Sequence, residues 1–458
     1  NGTSHRGHHG LSGDAPLLER RLNIPRSGML CGVIIAVVES SSEHGLVSNT
    51  VGLFVALLGF AVTVGVLTKF IKIPYTVALV LAGLLVAVLG AAPQGVVITK
   101  DLVFVLFLPP LLFQAGLHMD LDLLRRKAIP VTTLAIPGVL LSMLVTGFAI
   151  SFFLPDNAVG SGVWMAALLF GAMMAPTDPI SVLATFKRAK APEALRTLVE
   201  GESVFNDGTG VVLFLILWNA VVSGESLSVA AGVLEFVQVV GLGLVVGLGS
   251  GLIAFWLLKR LDDHVLENAI TVVLVWGSFI IAEQIGGSGV IAVVVAGLIM
   301  GNYGSRLAMS KQTRETIHTF WESIDFIVNS MVFLLIGIEL QYVAQTTQLL
   351  EANVVLAVAA TFLAILAARG LMVYPIAFLF GRHWPSGWKH VVFWSGLKGA
   401  IPLALVLGLP ESPLRNFLLP VAFGVVLVSL LLQGLTIPLL MRRTGVGEEE
   451  VEASEPTA

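Results

Sequence analysis

The sequence predicts an all-α polytopic membrane protein with about 13 transmembrane helices. Of its 458 residues, 56% are hydrophobic and only 12% are charged, about half of the charged fraction of a typical soluble domain. The mean hydropathy is +0.91. The hydrophobic residues collect in runs of about 20, the length at which a helix crosses a bilayer. With so few charges to face water, an ordinary soluble enzyme and a disordered chain are both excluded.

The hydrophobic runs give thirteen predicted spans, and the positions of Lys and Arg orient them. Alternate connections between spans carry eighteen basic residues, whereas the intervening connections carry two, Lys100 and Arg415. Because basic residues collect on the cytoplasmic side, the C-terminus is expected in the cytoplasm and the start of span 1 outside. The approximate spans are 48–69, 74–90, 100–117, 129–154, 162–186, 196–222, 230–258, 265–284, 287–302, 315–344, 351–380, 388–408 and 414–441.

The two ends of the chain are expected to stand apart from the transmembrane domain, 48–441. Residues 1–45 contain four Arg residues and a short apolar run, and we interpret them as an N-terminal arm that is a leader or an appended segment. Residues 442–458 form an acidic cytoplasmic tail, which is expected to be solvated. The single cysteine, Cys31, excludes an internal disulfide.

Spans 2, 3 and 5 resemble spans 9, 10 and 12, which indicates two inverted repeats of six helices. Each pair of corresponding positions is separated by 214, 221 or 220 residues, and partners lie seven spans apart, an odd number that inverts one half relative to the other. Broken helices 5 and 12 are expected to cross at mid-membrane, an arrangement typical of secondary transporters. The corresponding positions are Gly83 and Gly297, Gly116 and Gly337, and Asp178 and Lys398.

Charged residues inside the spans indicate the functional site, because a charge at bilayer depth costs at least about 2.5–3.5 kcal/mol on insertion scales. Asp207 lies in the middle of span 6 with no basic residue near it in sequence, which favours a functional role. For Arg369, a buried ion pair with Glu202 is favoured over direct binding of the ion. Further candidates are Asp178, Glu283, Glu339 and Lys398.

The segment Gly201–Gly210 is the densest in polar groups. In a helix, Ser203 and Asp207 are four residues apart, as are Glu202 and Asn206, so each pair shares a face. Their hydroxyl, carboxylate and amide oxygens are hard ligands suited to Na⁺, Li⁺ or a proton. The segment contains no His or Cys, which argues against a zinc site.

A helix break is predicted in span 5 at Pro176-Thr177-Asp178-Pro179, because proline lacks a backbone N–H and clashes with the preceding turn. The freed carbonyl of Thr177 becomes available as a ligand. Asp178 is placed to balance the positive end of the half-helix that follows. In span 12, Lys398 is placed to balance the negative end of the half-helix before its own break. Purely structural roles of this kind stay open for both charged residues.

At these motifs the sequence resembles the sodium/proton antiporters of the NhaP and NHE type, the electroneutral branch of the cation/proton antiporters. The resemblance extends over about 48–441. One departure is visible: the family's usual Arg in its Gly-Leu-Arg-Gly motif is Lys398 here, which keeps the charge but loses the planar fork. The matching pieces are Leu108–Gly116, Pro176–Pro179, Gly201–Asp207, Ala368-Arg369 and Gly396–Ala400.

The resemblance implies a homodimer in which a mobile core domain moves against a dimer domain. The expected surroundings are a lipid bilayer, and the cell's plasma membrane is favoured. No cofactor and no nucleic-acid partner are expected, and the sequence identifies no regulator of the tail. The implied core domain comprises approximately 100–222 and 315–408, and the implied dimer domain 48–90, 230–302 and 414–441.

The resemblance also implies roles for individual residues. Asp207 would carry the ion and the proton, supported by Asp178 and Asn206. Glu202 would pair with Arg369, and Lys398 and Asp178 would compensate helix dipoles. The implied ligands of the cation, Na⁺ in particular, are Asp207, Ser203, Asp178, Glu202 and the Thr177 carbonyl.

The predicted function is electroneutral 1:1 exchange of Na⁺ (or Li⁺) for H⁺, by competition at Asp207 with elevator-like alternating access, and not an enzymatic reaction. Only a neutralised carboxylate crosses the hydrophobic barrier cheaply. A K⁺/H⁺ antiporter of the same fold stays open as an alternative. A cation channel is disfavoured because the chain lacks a repeated carbonyl filter sequence. A serine hydrolase, suggested only by Gly286-Gly-Ser288-Gly, is disfavoured because this segment lies in a predicted turn.

Overall fold

The structure is a computed structural model. Its contacts divide the chain into two units, Asn1–Ala56 and Leu57–Ala458, and the described part of the first unit is the beginning of one helix. The predicted arm 1–45 and most of the predicted tail lie outside the described residues. The structure describes residues 46–71, 73–90, 99, 101–155, 162–223, 228–261, 263–346, 351–380, 384–385 and 387–446.

The described residues are helical almost throughout. Short π-helical stretches directly precede three of the α-helices, at Leu102–Phe107, Met300–Gly304 and Ser429–Gly434. The α-helices are α1 (Leu46–Ile71), α2 (Tyr75–Val88), α3 (Leu108–His118), α4 (Leu121–Arg126), α5 (Ala128–Ala135), α6 (Pro137–Ser151), α7 (Val163–Met173), α8 (Ile180–Arg188), α9 (Glu193–Ser223), α10 (Val229–Leu258), α11 (His264–Gln284), α12 (Gly289–Ile299), α13 (Ser305–Leu307), α14 (Lys311–Thr346), α15 (Ala352–Leu379), α16 (Trp388–Trp394), α17 (Ala400–Leu407), α18 (Pro413–Val428) and α19 (Leu435–Thr444).

Length and composition of these helices fit a membrane protein. Among the described residues, nine helical stretches are long and apolar enough to cross a membrane, and three shorter apolar helices accompany them. The described ranges contain no strand. The prediction of an all-α, multi-pass membrane protein is therefore confirmed, whereas the number of thirteen crossings stays a prediction.

Several helices begin at a polar side chain that accepts hydrogen bonds from the first free backbone N–H groups. Asp120 caps α4 in this way, Ser228 caps α10 and Asp263 caps α11. Ser288 caps α12 by accepting from the backbone N–H of Ile291 at 3.3 Å. The serine of the Gly286-Gly-Ser288-Gly segment therefore has a structural role in the turn before α12.

Spans 5 and 12 are each interrupted at the predicted place, with non-helical residues between α7 and α8 and between α16 and α17. The two interruptions contact each other, because the backbone N–H of Asp178 donates to the carbonyl of Leu397 at 2.8 Å. A Cβ added at Gly399 would overlap the Asp178 carboxylate. The glycine is therefore required for the close approach of the two broken helices.

Two further close approaches involve glycines of corresponding position in the predicted repeats. A Cβ added at Gly83 on α2 would overlap the backbone of α14 beside Gly337, and one at Gly116 on α3 would lie 2.7 Å from the carbonyl oxygen of Val294 on α12, beside Gly297. Small residues let membrane helices pack this closely. In the predicted repeats Gly83 corresponds to Gly297, and Gly337 corresponds to Gly116. The contact between Gly83 and Gly337 therefore corresponds to the contact between Gly297 and Gly116. The repeat itself and the division into core and dimer domains stay predictions.

Candidate functional site

The two helix breaks meet the middle of α9 at one place, and this is the candidate site. α9 contributes Glu202, Ser203, Asn206 and Asp207, which lie within two turns of each other. All four are buried, with 2–7% of their surface exposed. All four are candidates from the sequence, and the structure brings them together with the break of span 5.

Asp207 is a buried carboxylate with an unused oxygen. It lines a cavity of about 580 Å³ whose wall also includes Thr177, Asp178 and Gly399. Its Oδ1 atom is buried and has no hydrogen-bond partner in the part of the chain that the structure describes. Because buried polar atoms in proteins are nearly always paired, this oxygen is placed to accept a cation or a proton.

A hydrogen-bond network fastens the break of span 5 to α9. The Ser203 hydroxyl donates to the carbonyl oxygen of Thr177. The Asn206 amide accepts from the backbone N–H of Thr177 at 3.2 Å and donates to the Thr177 hydroxyl at 2.7 Å. Thr177 lines the cavity, while Ser203 does not belong to its described lining. The network therefore fixes the Thr177 carbonyl, the ligand predicted from the break, against the helix that carries Asp207.

Glu202 and Arg369 form a buried ion pair. The Nη1 and Nη2 atoms of Arg369 donate to the two carboxylate oxygens, each at 2.8 Å, and the two side chains are 3% and 9% exposed, respectively. One of these oxygens also accepts from the amide of Asn206 at 3.1 Å. Since both oxygens of Glu202 are used, the arrangement favours the ion-pair role, and direct binding of the cation by Glu202 stays a prediction.

Arg369 has a second function at the end of α16. Its Nε and Nη2 atoms donate to the carbonyl oxygen of Val392 at 3.1 and 2.8 Å, and Nε also donates to that of Phe393 at 3.0 Å. These carbonyls belong to the last turn of α16, where a cation stabilises the negative end of a helix. The half-helix before the break of span 12 is thus compensated by Arg369.

Lys398 contacts carbonyls in the break of span 5, and not those of the half-helix before its own break that the sequence suggested. Its Nζ donates to the carbonyl oxygens of Ala175 and Pro176 at 2.9 and 3.1 Å, just after the end of α7. The Oδ1 atom of Asp178 accepts from the backbone N–H of Ile180 at 2.9 Å at the start of α8, and compensation of this half-helix by Asp178 stays a prediction. The lysine reaches across because the two breaks are in direct backbone contact.

The charges of the site nearly cancel. Asp207 interacts electrostatically with Asp178, Lys398 and Glu202, and Glu202 is paired with Arg369. In their ionised forms, these three carboxylates and two cations leave one negative charge in excess. One bound monovalent cation or one proton would neutralise the site.

The cavity extends along α9 and α14 to residues that the sequence analysis did not single out. Glu200, Asp325 and Asn329 all belong to its lining. Glu200 precedes Asp207 by seven residues and shares its helix face, a signal that was present in the sequence. Asp325 also had a signal, because it is a charged residue inside the predicted span 315–344. Asn329 had none, and only the packing of α14 against the site reveals it.

Two other intramembrane carboxylates do not join the site. Glu283 accepts from the backbone N–H of Gly289 at 2.8 Å and fixes the turn before α12. Glu339 is 5% exposed on α14 and is outside the described lining of the cavity. Within the described ranges, no group of three or more His, Cys, Asp or Glu side chains is arranged to hold a metal ion.

Comparisons with known proteins agree with one another. A family profile described as "Sodium/hydrogen exchanger, transmembrane" matches residues 30–443. The Na⁺/H⁺ antiporter NhaG of Bacillus atrophaeus is 40% identical over 411 residues, which cover 87% of this chain and 75% of that protein. The Na⁺/H⁺ antiporter NhaP of Pseudomonas aeruginosa is 38% identical over 412 residues, covering 84% and 95%. Among solved structures, the sodium proton antiporter MjNhaP1 from Methanocaldococcus jannaschii matches with a TM-score of 0.68 at 19% identity, covering 92% of this chain and 100% of that one.

Proposed function

Because the chain belongs to the sodium/hydrogen exchanger family, a family of membrane transporters and not of enzymes, we propose that it exchanges Na⁺ (or Li⁺) for H⁺ across a membrane. One observation carries this proposal. The Oδ1 atom of Asp207 is buried in the wall of a cavity and has no partner among the described residues. A carboxylate oxygen in that position accepts either a cation or a proton, and each excludes the other.

The cation is proposed to bind between the break of span 5 and α9. Asp207 supplies the charge, and the Thr177 carbonyl and Asp178 supply further oxygens. Ser203, which holds the Thr177 carbonyl, is also a proposed ligand. Oxygen donors of this kind suit a hard monovalent cation. Asn206 supports the site by fixing Thr177 through two hydrogen bonds.

Exchange is proposed to be electroneutral, with one cation for one proton. The excess of one negative charge at the site supports this stoichiometry, because either ligand brings the total charge to zero. A neutral site crosses the apolar barrier at much lower cost than a charged one. The Glu202–Arg369 pair is proposed to move with the site without exchanging its charges.

Access is proposed to alternate by an elevator-like movement of a core domain against a dimer domain in a homodimer. The cavity is lined by Lys187 and Arg196, which belong to the basic, cytoplasmic connections, so we place its opening on the cytoplasmic side. α10 supports the dimer proposal, because its apolar side chains remain largely exposed, as at Val233 and Val245, which are 58% and 66% exposed. The proposed location is the plasma membrane.

The test is proton flux in liposomes that contain the purified full chain and an internal pH dye. Addition of Na⁺ or Li⁺ is expected to drive proton movement that is unchanged when the membrane potential is clamped. Asp207→Asn is expected to abolish this flux while the protein still folds. Cation flux without proton movement in the unmodified protein would instead show a channel.

A matched control distinguishes the effect of losing the Asp207 carboxylate from the effect of losing a carboxylate elsewhere in the protein. Glu411 is 94% exposed and lies 3.7 Å from Arg415, outside the cavity. Glu411→Gln makes the same chemical change as Asp207→Asn and is expected to leave the flux intact. Flux that persists in Asp207→Asn, or that disappears in both variants, contradicts the role given to Asp207.

A further inference from the structure

We propose that the cavity contains a second cation-binding station, formed by Glu200, Asp325 and Asn329, through which the ion passes before it reaches Asp207. This inference rests on the proposed function and adds a binding site to the same pathway. The station lies on the side of Asp207 that carries the basic residues Lys187 and Arg196, and all of these side chains line one cavity.

The position of Glu200 follows from helix geometry. Glu200 and Asp207 are seven residues apart on α9, which places them on the same face and separates them by about 10.5 Å along the helix axis. Both line the cavity, with Val204 between them. A cation at Glu200 is therefore a separate step from a cation at Asp207, and the path between the two stays inside the cavity.

α14 supplies the opposite wall. Asp325 and Asn329 are four residues apart and share a face, and the amide Nδ2 of Asn329 donates to Asp325 Oδ1 at 2.9 Å. A carboxylate accepts hydrogen bonds and does not donate them, so this bond fixes the orientation of the amide. The Oδ1 atom of Asn329 therefore takes no part in this bond.

The amide oxygen of Asn329 is the evidence for a bound ligand. Asn329 is 4% exposed, and its Oδ1 is buried with no hydrogen-bond partner in the residues that the structure covers. A buried acceptor without a partner is unfavourable. A cation bound between the carboxylates and this oxygen supplies the missing interaction.

The charges around the station favour a cation. Asp325 and Arg196 act electrostatically on Glu200, and Asp178 and Glu322 act on Asp325. Seven carboxylates line the cavity, against one lysine and one arginine among its described residues. Two carboxylates and one amide oxygen form a hard donor set, and so few charged ligands suit a monovalent ion such as Na⁺ or Li⁺.

The experiment measures Na⁺-dependent proton flux in everted membrane vesicles, where the cytoplasmic side faces the added cation. Asn329→Leu removes the amide oxygen and is expected to raise the KM for Na⁺ about tenfold, the factor equivalent to about 1.4 kcal/mol of lost cation binding, while the maximal rate stays unchanged. Asn329→Asp keeps an oxygen at this position and adds charge, so the KM is expected to fall below that of the unmodified protein. A rise of KM in both variants overturns the station, because it means that Asn329 only orients Asp325.

The matched control is Asn268→Leu. Asn268 also has a buried Oδ1 without a partner in the described chain, but it lines a different cavity, beside Gln312 and Thr316. The KM of the Asn268→Leu variant for Na⁺ is expected to equal that of the unmodified protein. An equal rise of KM in Asn268→Leu and Asn329→Leu overturns the proposal, because it attributes the effect to general loss of packing.

Binding of radioactive sodium to purified Asp207→Asn protein separates the station from the proposed function. This variant is expected to retain bound sodium that the additional change Asn329→Leu removes. If the unmodified protein shows no sodium-dependent proton flux, the proposed function fails, and the binding measurement alone decides on the station. If Asp207→Asn binds no sodium while the unmodified protein does, the station is refuted and Asp207 holds the only cation.

Discussion

Breaking the ion pair between Glu202 and Arg369 is expected to destabilise the protein strongly. The pair has two hydrogen bonds of 2.8 Å, and both side chains are at most 9% exposed. Arg369→Met leaves the Glu202 carboxylate buried without its cation and removes the donors to Val392 and Phe393. Removing one partner of a buried pair costs about 3–5 kcal/mol, and the lost bonds at the end of α16 place this variant at the upper end.

Glu202→Gln is expected to cost less, about 1.5–3 kcal/mol for one charged hydrogen bond, because Arg369 keeps its carbonyl partners on α16. In the double variant no unpaired charge remains. Its cost is therefore expected to be smaller than the sum of the two single costs by at least about 1 kcal/mol. The assay is the free energy of unfolding of the purified protein in detergent, measured for all four proteins. Exactly additive costs refute the reasoning, since they mean that the two residues do not stabilise each other.

Substitutions at three positions test the contact between the broken helices and the charge balance. Gly399→Ala places a Cβ on the Asp178 carboxylate and is expected to cost about 1–3 kcal/mol of stability, measured as a shift of the thermal unfolding midpoint. The control is Gly277→Ala, where no atom lies within 4 Å of the added Cβ. Equal shifts of the midpoint in the two variants contradict the contact. Lys398→Arg keeps the cation and is expected to retain exchange in liposomes, whereas Lys398→Met is expected to abolish it, and equal rates in the two variants exclude a role for this charge. Asn206→Asp adds a carboxylate, so the exchange rate is expected to depend on an imposed membrane potential, and a rate that ignores the potential means that stoichiometry is set elsewhere.

The fold class and the family could be predicted from the sequence because strong local sequence features indicate both. A low charged fraction and long apolar runs require a helical membrane protein, and the motifs around Asp178 and Asp207 identify the sodium/hydrogen exchanger family, which the comparisons confirm. The break of span 5 was also predictable, since Pro176 and Pro179 each remove a backbone donor.

The partner of Lys398 could not be predicted in the same way. The sequence places this lysine beside its own break, and a long flexible side chain reaches any carbonyl within several ångströms. Its actual partners, Ala175 and Pro176, lie more than two hundred residues away and become neighbours only because the two breaks are in contact. Asp325 and Asn329 were missed for a related reason, because both lie in the middle of the long helix α14 and the sequence does not indicate which face of that helix meets a cavity.

The main-chain bond between Asp178 and Leu397 has a consequence for how ion preference is changed by mutation. This bond and the Thr177 carbonyl belong to the backbone, so nearly every substitution leaves them in place, and only proline at Asp178 would remove the donor. The spacing between the two breaks is therefore expected to change little on most side-chain substitutions, Gly399 excepted, where an added Cβ would overlap Asp178. A change of preference to another alkali ion by mutation is therefore expected to occur through the side chains around this backbone contact. Ser203 and Asn206 are the foremost of these, because their hydrogen bonds hold Thr177 beside the helix that carries Asp207.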